Sequence, residues 1–391
     1  MTSVAQAFSQ HGTLAKAIDG FSPRQAQTDM AMGVAHAIEK QSSLIVEAGT
    51  GTGKTFAYLI PAFLSIKNSN NDKKIIISTG TKNLQEQLFH KDIPLVKKSL
   101  ASNAQIALLK GRANYLCRYR LAQYQESRGQ LDANTLTDLV KVKTWANSTQ
   151  TGDIGELVNV TEDSGVFPFI TSTLDNCLAK DCPDYEQCYL VRARQKAIDA
   201  DLIVVNHHLF FADMALKDTG FGELIPDVDV VIFDEAHQVP DIASEYFGEN
   251  LSSRQVQDLT KDIIAITRSV LKDADQLAKI AEKCQMHMAD LRLLFPHNPS
   301  RGNWADKLAQ TDIRNQVDII KQSLDQLYEI ASVQHGRDKD LDLMIERVFE
   351  FSQRLEHVTD VQRNGVSLWY ETTPRQIILH LTPLSIADKF S

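Results

Sequence analysis

The apolar positions of this chain fall into blocks of different period, and each block predicts a different kind of structure. Up to residue 110, short apolar runs alternate with helical patterns. A turn at 20–24 leads into a helix through Met30, Val34 and Ile38, followed by a strand at 43–46 and a helix from Phe56 to about Lys67. A strand at 74–78, a helix carrying Leu84, Gln87 and Leu88, and a strand at 105–109 continue the series. Strands alternating with helices of this length give a parallel sheet in an α/β domain. The pattern then breaks: between 111 and 195 one helical series (Leu136, Leu139, Val142, Trp145) stands among long polar connections. It resumes at 200–206 and 228–237, so 111–195 reads as an insertion. From 250 the period is helical. Val256, Leu259, Ile263, Ile266 and Val270 follow a possible capping box, Ser252 with Gln255. Three further stripes begin at Leu277, Ile313 and Leu341, predicting an antiparallel helical insertion whose stripes, Cys284 included, pack a core. A last strand, 376–381, is expected to return to the α/β domain.

Composition narrows the picture. At 391 residues, 43% hydrophobic and 23% charged, the chain has room for two or three cores and no low-complexity tract. Its apolar runs are too short to cross a membrane, and residues 1–16 lack a signal-peptide profile, so the cytoplasm is the expected location. The formal charge of −9 gives no bulk attraction for nucleic acid; any such partner needs a local groove.

Two motifs specify chemistry. Ala48, Gly49, Thr50, Gly51, Thr52, Gly53, Lys54 and Thr55 stand between a strand and a helix, the setting of a phosphate-binding loop. Glycines let backbone N–H groups face a phosphate, and the helix offers its positive end. Lys54 would reach the β- and γ-phosphates of a nucleoside triphosphate, and the Thr55 hydroxyl would hold Mg²⁺. Ala48 replaces the first glycine of the usual pattern. Downstream, Asp234-Glu-Ala-His237 ends an apolar strand; Asp234 would hold Mg²⁺ and Glu235 would deprotonate the attacking water. Together the motifs specify a nucleoside triphosphatase.

Cys177, Cys182 and Cys188 lie within twelve residues, with Cys117 as a fourth thiol. Such clustering in a cytosolic chain points to a metal, either zinc or an iron–sulfur cluster. Arg112, Asn114 and Tyr115 mix charge, amide and aromatic beside Cys117, which suits phosphate contact and base stacking. His207 and His208, adjacent on an expected strand, would point to opposite faces.

The phosphate loop, the upstream 23–27 segment, the Asp-Glu-Ala-His tetrad, the four cysteines, residues 200–210, the 110–117 stretch and the 222–226 stretch together resemble the XPD/DinG family of superfamily 2 helicases, in its DinG/YoaA branch. The resemblance implies a RecA-like P-loop motor domain (1–110 and 196–245) with a cysteine-rich iron–sulfur insertion (111–195) and an all-helical Arch insertion (246–370), then a return strand (371–391). It implies a 4Fe–4S cluster on Cys117, Cys177, Cys182 and Cys188, with adenine read by Gln27 and with Arg24 in the same motif. It implies DNA contact by Ser78, Thr79, Gly80 and Thr81, and a coupling role for His237. The implied activity is ATP-dependent 5′→3′ unwinding of forked or 5′-tailed DNA from a single strand, beside replication and repair proteins. The family's second RecA-like domain is missing from these residues, which leads us to expect an N-terminal portion. The rival reading is a non-motor ATP- and DNA-binding module, iron–sulfur or zinc-stabilised.

Overall fold

A computed structural model describes residues 3–69, 72–126, 132–173, 176–219 and 224–385. Residues 222–223 of the 222–226 stretch and 386–391 of the expected return segment lie outside the described residues. The chain divides into two compact units: residues 1–172 with 180–242, and residues 173–179 with 243–391.

The first unit is built on a parallel sheet of β1 (Ile75–Thr79), β2 (Ile106–Leu108), β3 (Leu202–Asn206) and β4 (Val230–Phe233), in the order β2-β3-β1-β4. Every residue of β1 and β3 is buried, because helices cover both faces. Ile75, Ile77, Leu202 and Val204 join one core with the helix Lys54–Asn68. Ile76, Ile203 and Val205 join the core on the opposite face. Continuous apolar runs, without alternation, are the sequence mark of strands covered on both sides. Within the same unit the insertion forms a core of its own around Tyr115, Leu139, Val142, Val166 and Tyr189. Its expected helix is Ala133–Ala146, capped by the Asp132 carboxylate.

One expected element does not form. Residues 43–46 carry no strand, and among the described residues no backbone hydrogen bond ties them to a neighbour. Their apolar side chains are left uncovered, with Ile45 99% exposed. On the sheet, β4 pairs with β1 along one edge only.

The second unit contains the expected helices as Ser253–Ser269, Asp275–Leu293, Thr311–Ser332 and Lys339–Thr359. The capping box forms as read: Gln255 N donates to the Ser252 hydroxyl, and Ser252 N to the Gln255 side chain. Cys284 is buried on its stripe, where its thiol donates to the Ser323 carbonyl at 3.0 Å. Two expectations are corrected here. The unit is not all-helical, for it includes an antiparallel sheet, β5 (Glu249–Ser252), β6 (Ser300–Asn303), β7 (Val366–Thr372) and β8 (Ile377–Pro383), in the order β5-β8-β7-β6. The last strand does not return to the first sheet, because β8 pairs with β5 and β7. The pattern gives the reason. Ile377, Leu379 and Leu381 point inward while Ile378 and His380 are only half-buried, an alternation that suits a sheet covered on one face.

Candidate nucleotide-binding site

The loop between residue 46 and the helix Lys54–Asn68 owes its shape to glycine. Gly51 and Gly53 have φ of 77° and 81°, in the left-handed region that side chains avoid. Gly53 is also the position preceding the helix, and a Cβ there would collide with the Gln27 amide. That amide donates to the Gly53 carbonyl at 2.9 Å, and the Arg24 guanidinium donates to the Gly51 carbonyl. Gln27 and Arg24 therefore brace the phosphate loop from the helix Gln25–Lys40 and its cap. The loop is further closed by Thr52, whose hydroxyl and N–H both donate to the Gly49 carbonyl. Helix and loop leave Lys54 and Thr55 in the first helical turn, where N–H groups lack helical partners.

The acidic motif lies against this turn. Asp234 N donates to the Ser78 carbonyl at 2.8 Å, extending the β1–β4 ladder by one residue. Glu235 then adopts φ 55°, a left-handed conformation unusual for a side chain of its size. That reversal swings Glu235 toward the loop, where its carboxylate is 3.7 Å from Lys54 Nζ and 3.4 Å from His237 Nδ1. The Tyr58 hydroxyl donates to Asp234 Oδ2 at 3.3 Å. Burial raises the Asp234 carboxyl above the ordinary carboxylate range, and the Glu235 charge adds to this while Lys54 opposes it. Burial likewise pushes the Tyr58 hydroxyl well above its usual value, aided by the Asp234 charge. Nothing local marks Tyr58 beyond an aromatic one turn past Thr55; its role is visible only once β4 is in place.

The remaining sites expected from sequence are placed less uniformly. Ser78, Thr79 and Gly80 are buried, and Ser78 Oγ is engaged by His207 Nδ1 at 2.7 Å. Only Thr81 of that group is exposed, its hydroxyl capping the helix Lys82–Gln87 through Leu84 N. Tyr115 is inside the insertion core, so its ring is not presented to a base; its hydroxyl accepts from Lys110 N at 3.2 Å. Burial pushes that hydroxyl up to about 12. Asn114 closes a local turn onto the Gly111 carbonyl, and Arg112 is half-buried. His207 and His208 begin the helix His207–Thr219 and do not lie on a strand, His207 buried and His208 exposed.

Cys117, Cys182 and Cys188 belong to the first unit and Cys177 to the segment grouped with the second. All four are half-buried, and no disulfide forms among the described residues. Among those residues no three His, Cys, Asp or Glu side chains are gathered to hold a metal.

A DEAD/DEAH box helicase family matches residues 28–126, spanning the phosphate loop and the β1 turn. The chain is 50% identical over 383 residues to the ATP-dependent DNA helicase YoaA of Escherichia coli K12, covering 98% of this chain and 59% of that protein. The Haemophilus influenzae YoaA gives 49% over 388 residues, 99% of this chain and 60% of the relative. The chain is thus similar to the YoaA helicases over nearly its whole length, and to the DEAD/DEAH box helicases over residues 28–126. The ATP-dependent helicase DinG of Mycobacterium tuberculosis is a more distant relative, 32% identical over 268 residues, 64% of this chain and 40% of that one. The chain thus spans about 60% of the length of the YoaA proteins it matches. Among the described residues no helix is long and apolar enough to cross a membrane.

Proposed function

We propose that this chain carries the nucleotide-binding half of an ATP-dependent DNA helicase, whose hydrolysis drives 5′→3′ movement along single-stranded DNA and opening of forked or 5′-tailed duplexes. The observation that carries the reading is the convergence of two remote motifs. Lys54 meets Glu235 at 3.7 Å, and Tyr58 meets Asp234 at 3.3 Å, across 181 and 176 residues of chain respectively (235 − 54 and 234 − 58). An ordinary glycine turn and an ordinary acidic strand end would have no reason to share one corner.

The residues divide the work. Backbone N–H groups at 51–55 cradle the phosphates, and Lys54 moves from Glu235 onto the β- and γ-phosphates when ATP enters. Glu235, released from Lys54, orients the attacking water and accepts its proton. The half-buried Asp234 carboxylate and the Thr55 hydroxyl, both contacted by the Tyr58 hydroxyl, are a donor set suited to a hard divalent cation. Mg²⁺ bound there would neutralise charge developing on the phosphates. Arg24 and Gln27, now holding the loop, are placed to exchange those contacts for the nucleotide, Gln27 for the adenine. The clustering of Cys177, Cys182 and Cys188 in sequence, with Cys117 upstream, supports a 4Fe–4S cluster on these four thiols. Thr81, Arg112 and Asn114 remain the side chains for DNA, and His237 the link from nucleotide to movement.

The test is Mg²⁺-ATP binding and hydrolysis by this chain, with and without single-stranded DNA, beside Lys54→Ala. Nucleotide affinity should fall at least about tenfold in the variant, and DNA-stimulated hydrolysis by about 100-fold. Unchanged nucleotide binding in Lys54→Ala would remove the reading. Binding that depends on Lys54 but never leads to hydrolysis would favour the non-motor module.

A further inference from the structure

His207 takes no part in the chemistry just described, yet it stands between the two segments that the chemistry must connect. It is completely buried just past the C-terminal end of β3, beside the end of β1, and its ring reaches the last residue of β4 on the far side of β1. On one side its Nδ1 is 2.7 Å from Ser78 Oγ, two residues before Gly80 and three before the exposed Thr81. On the other, the backbone of Asp234 and Glu235 lies close enough to act on the ring, pulling it toward protonation while burial pulls more strongly the other way. Its ring packs at 5.8 Å against Phe233, the residue before Asp234. Nε2 is nevertheless buried without a hydrogen bond of normal geometry. A buried polar atom left in this condition is costly, and a small shift of the neighbouring backbone would relieve it.

That neighbouring backbone is primed to shift. Glu235 is held at φ 55°, and its carboxylate is tied to Lys54, a partner that ATP would take away. A second link runs parallel to the first. Gln238 lies against Gly80 so closely that a Cβ on Gly80 would collide with the Gln238 amide. The turn after Asp234 and the turn after β1 therefore touch directly, through Gln238 at Gly80 and through the Asp234 N–H on the Ser78 carbonyl.

We propose that His207 is a positioning residue that couples the Asp234–Gln238 turn to the Ser78–Thr81 turn, so that nucleotide binding changes affinity for single-stranded DNA through its imidazole. Release of Glu235 by Lys54 lets the turn move, Nε2 gains a backbone acceptor, and the shifted ring carries Ser78 and the 80–81 backbone with it. Gln238 on Gly80 transmits the same movement at the solvent end. The inference rests on the reading of this chain as a nucleotide- and DNA-binding module, and it adds the element that links the two ligands.

The experiment measures the affinity of the chain for fluorescein-labelled oligothymidylate, alone and with saturating Mg²⁺ and adenylyl imidodiphosphate. The ratio of the two affinities is the coupling. The native chain should show a ratio of about 5-fold or more in one direction. His207→Phe removes both ring nitrogens, while His207→Asn keeps an amide near the Nδ1 position and His207→Gln keeps one near Nε2. Phe and Asn should bring the ratio to within about 2-fold of unity, with each ligand's separate affinity nearly unchanged, and Gln should recover part of it. A merely structural histidine would lower melting temperature and both affinities together and leave the ratio alone. A ratio retained in Phe and Asn, or a native ratio of unity, overturns the coupling and leaves the nucleotide-binding reading standing. Failure of the native chain to bind nucleotide or oligothymidylate removes that reading and the inference with it. If the Phe variant does not fold, the Asn and Gln pair decides by the same ratio.

Discussion

Asp234 is asked to be buried and charged at once, and burial wins enough to raise its carboxyl above the ordinary range. The linkage has a definite sign. A folded-state value above the unfolded one means that the carboxyl's contribution to stability is complete below the unfolded value, near 3.9 in a model peptide, and is lost as pH rises through the folded value. At neutral pH the ionised Asp234 therefore costs stability, with Lys54 and Tyr58 only partly offsetting it. Asp234→Asn should leave the melting temperature at pH 7 unchanged or higher, while abolishing Mg²⁺-dependent hydrolysis. A clear loss of melting temperature would mean that the carboxylate is structural. At this scale the sequence was legible where a residue type belongs to a motif. Lys54, Asp234, Glu235 and the glycines needed only spacing. Tyr58 and His207 were not legible, because nothing local distinguishes an aromatic in an apolar helix, or one of two adjacent histidines, until β1, β3 and β4 stand side by side. Tyr115 misled for the opposite reason: an aromatic in a polar stretch looks exposed until the insertion closes on it.

At the scale of elements, the end of β2 is fastened by charge. Lys110 is buried, with Asp153 Oδ2 at 2.5 Å and Glu86 in contact, so one ammonium joins β2, the helix Lys82–Gln87 and the insertion. Burial would lower the lysine's pKa, but the hydrogen bonds and charges of Asp153 and Glu86 outweigh it and the net shift is upward. The contribution is thus complete below the unfolded lysine value, near 10.4, and lost only as pH rises through the higher folded value. Lys110→Met leaves two carboxylates facing each other. After discounting the partly exposed Glu86, the variant should be about 2 kcal/mol less stable at pH 7, a fall of several degrees in melting temperature. Unchanged melting in Lys110→Met would show that the triad is solvated in solution. Helices of this chain were legible because their signal is local: a capping box, a 3.6-residue stripe, a polar break. Strands were less so. Residues 43–46 read as a strand by composition but find no partner among the described residues, and 376–381 read as a strand yet join a different sheet. Strand pairing depends on what lies far away in sequence, and only the alternation of Ile377, Leu379 and Leu381 hinted which kind of sheet would take them.

For the whole molecule, the metal question has a direct answer. Anaerobically purified protein should contain iron and acid-labile sulfide in equal amounts, with both lost together in Cys182→Ala. Zinc without sulfide would remove the cluster and leave a zinc-stabilised fold. The charge of −9 bears on another feature, the edge of β4 that pairs with no strand among the described residues. A strand with one bonded side offers its other N–H and C=O groups to any passing backbone, including that of a second copy. Val231 on that strand is exposed, as are Ile45 and its neighbours in the unpaired stretch. Such a chain would be expected to clump on concentration. The edge, however, is bracketed by carboxylates, Asp229 before it and Asp234 and Glu235 after it. Two copies meeting there head to tail would bring like charges together at both ends of the contact. The same acids that serve the phosphate corner thus double as a colloidal guard, one that weakens with added salt or acid.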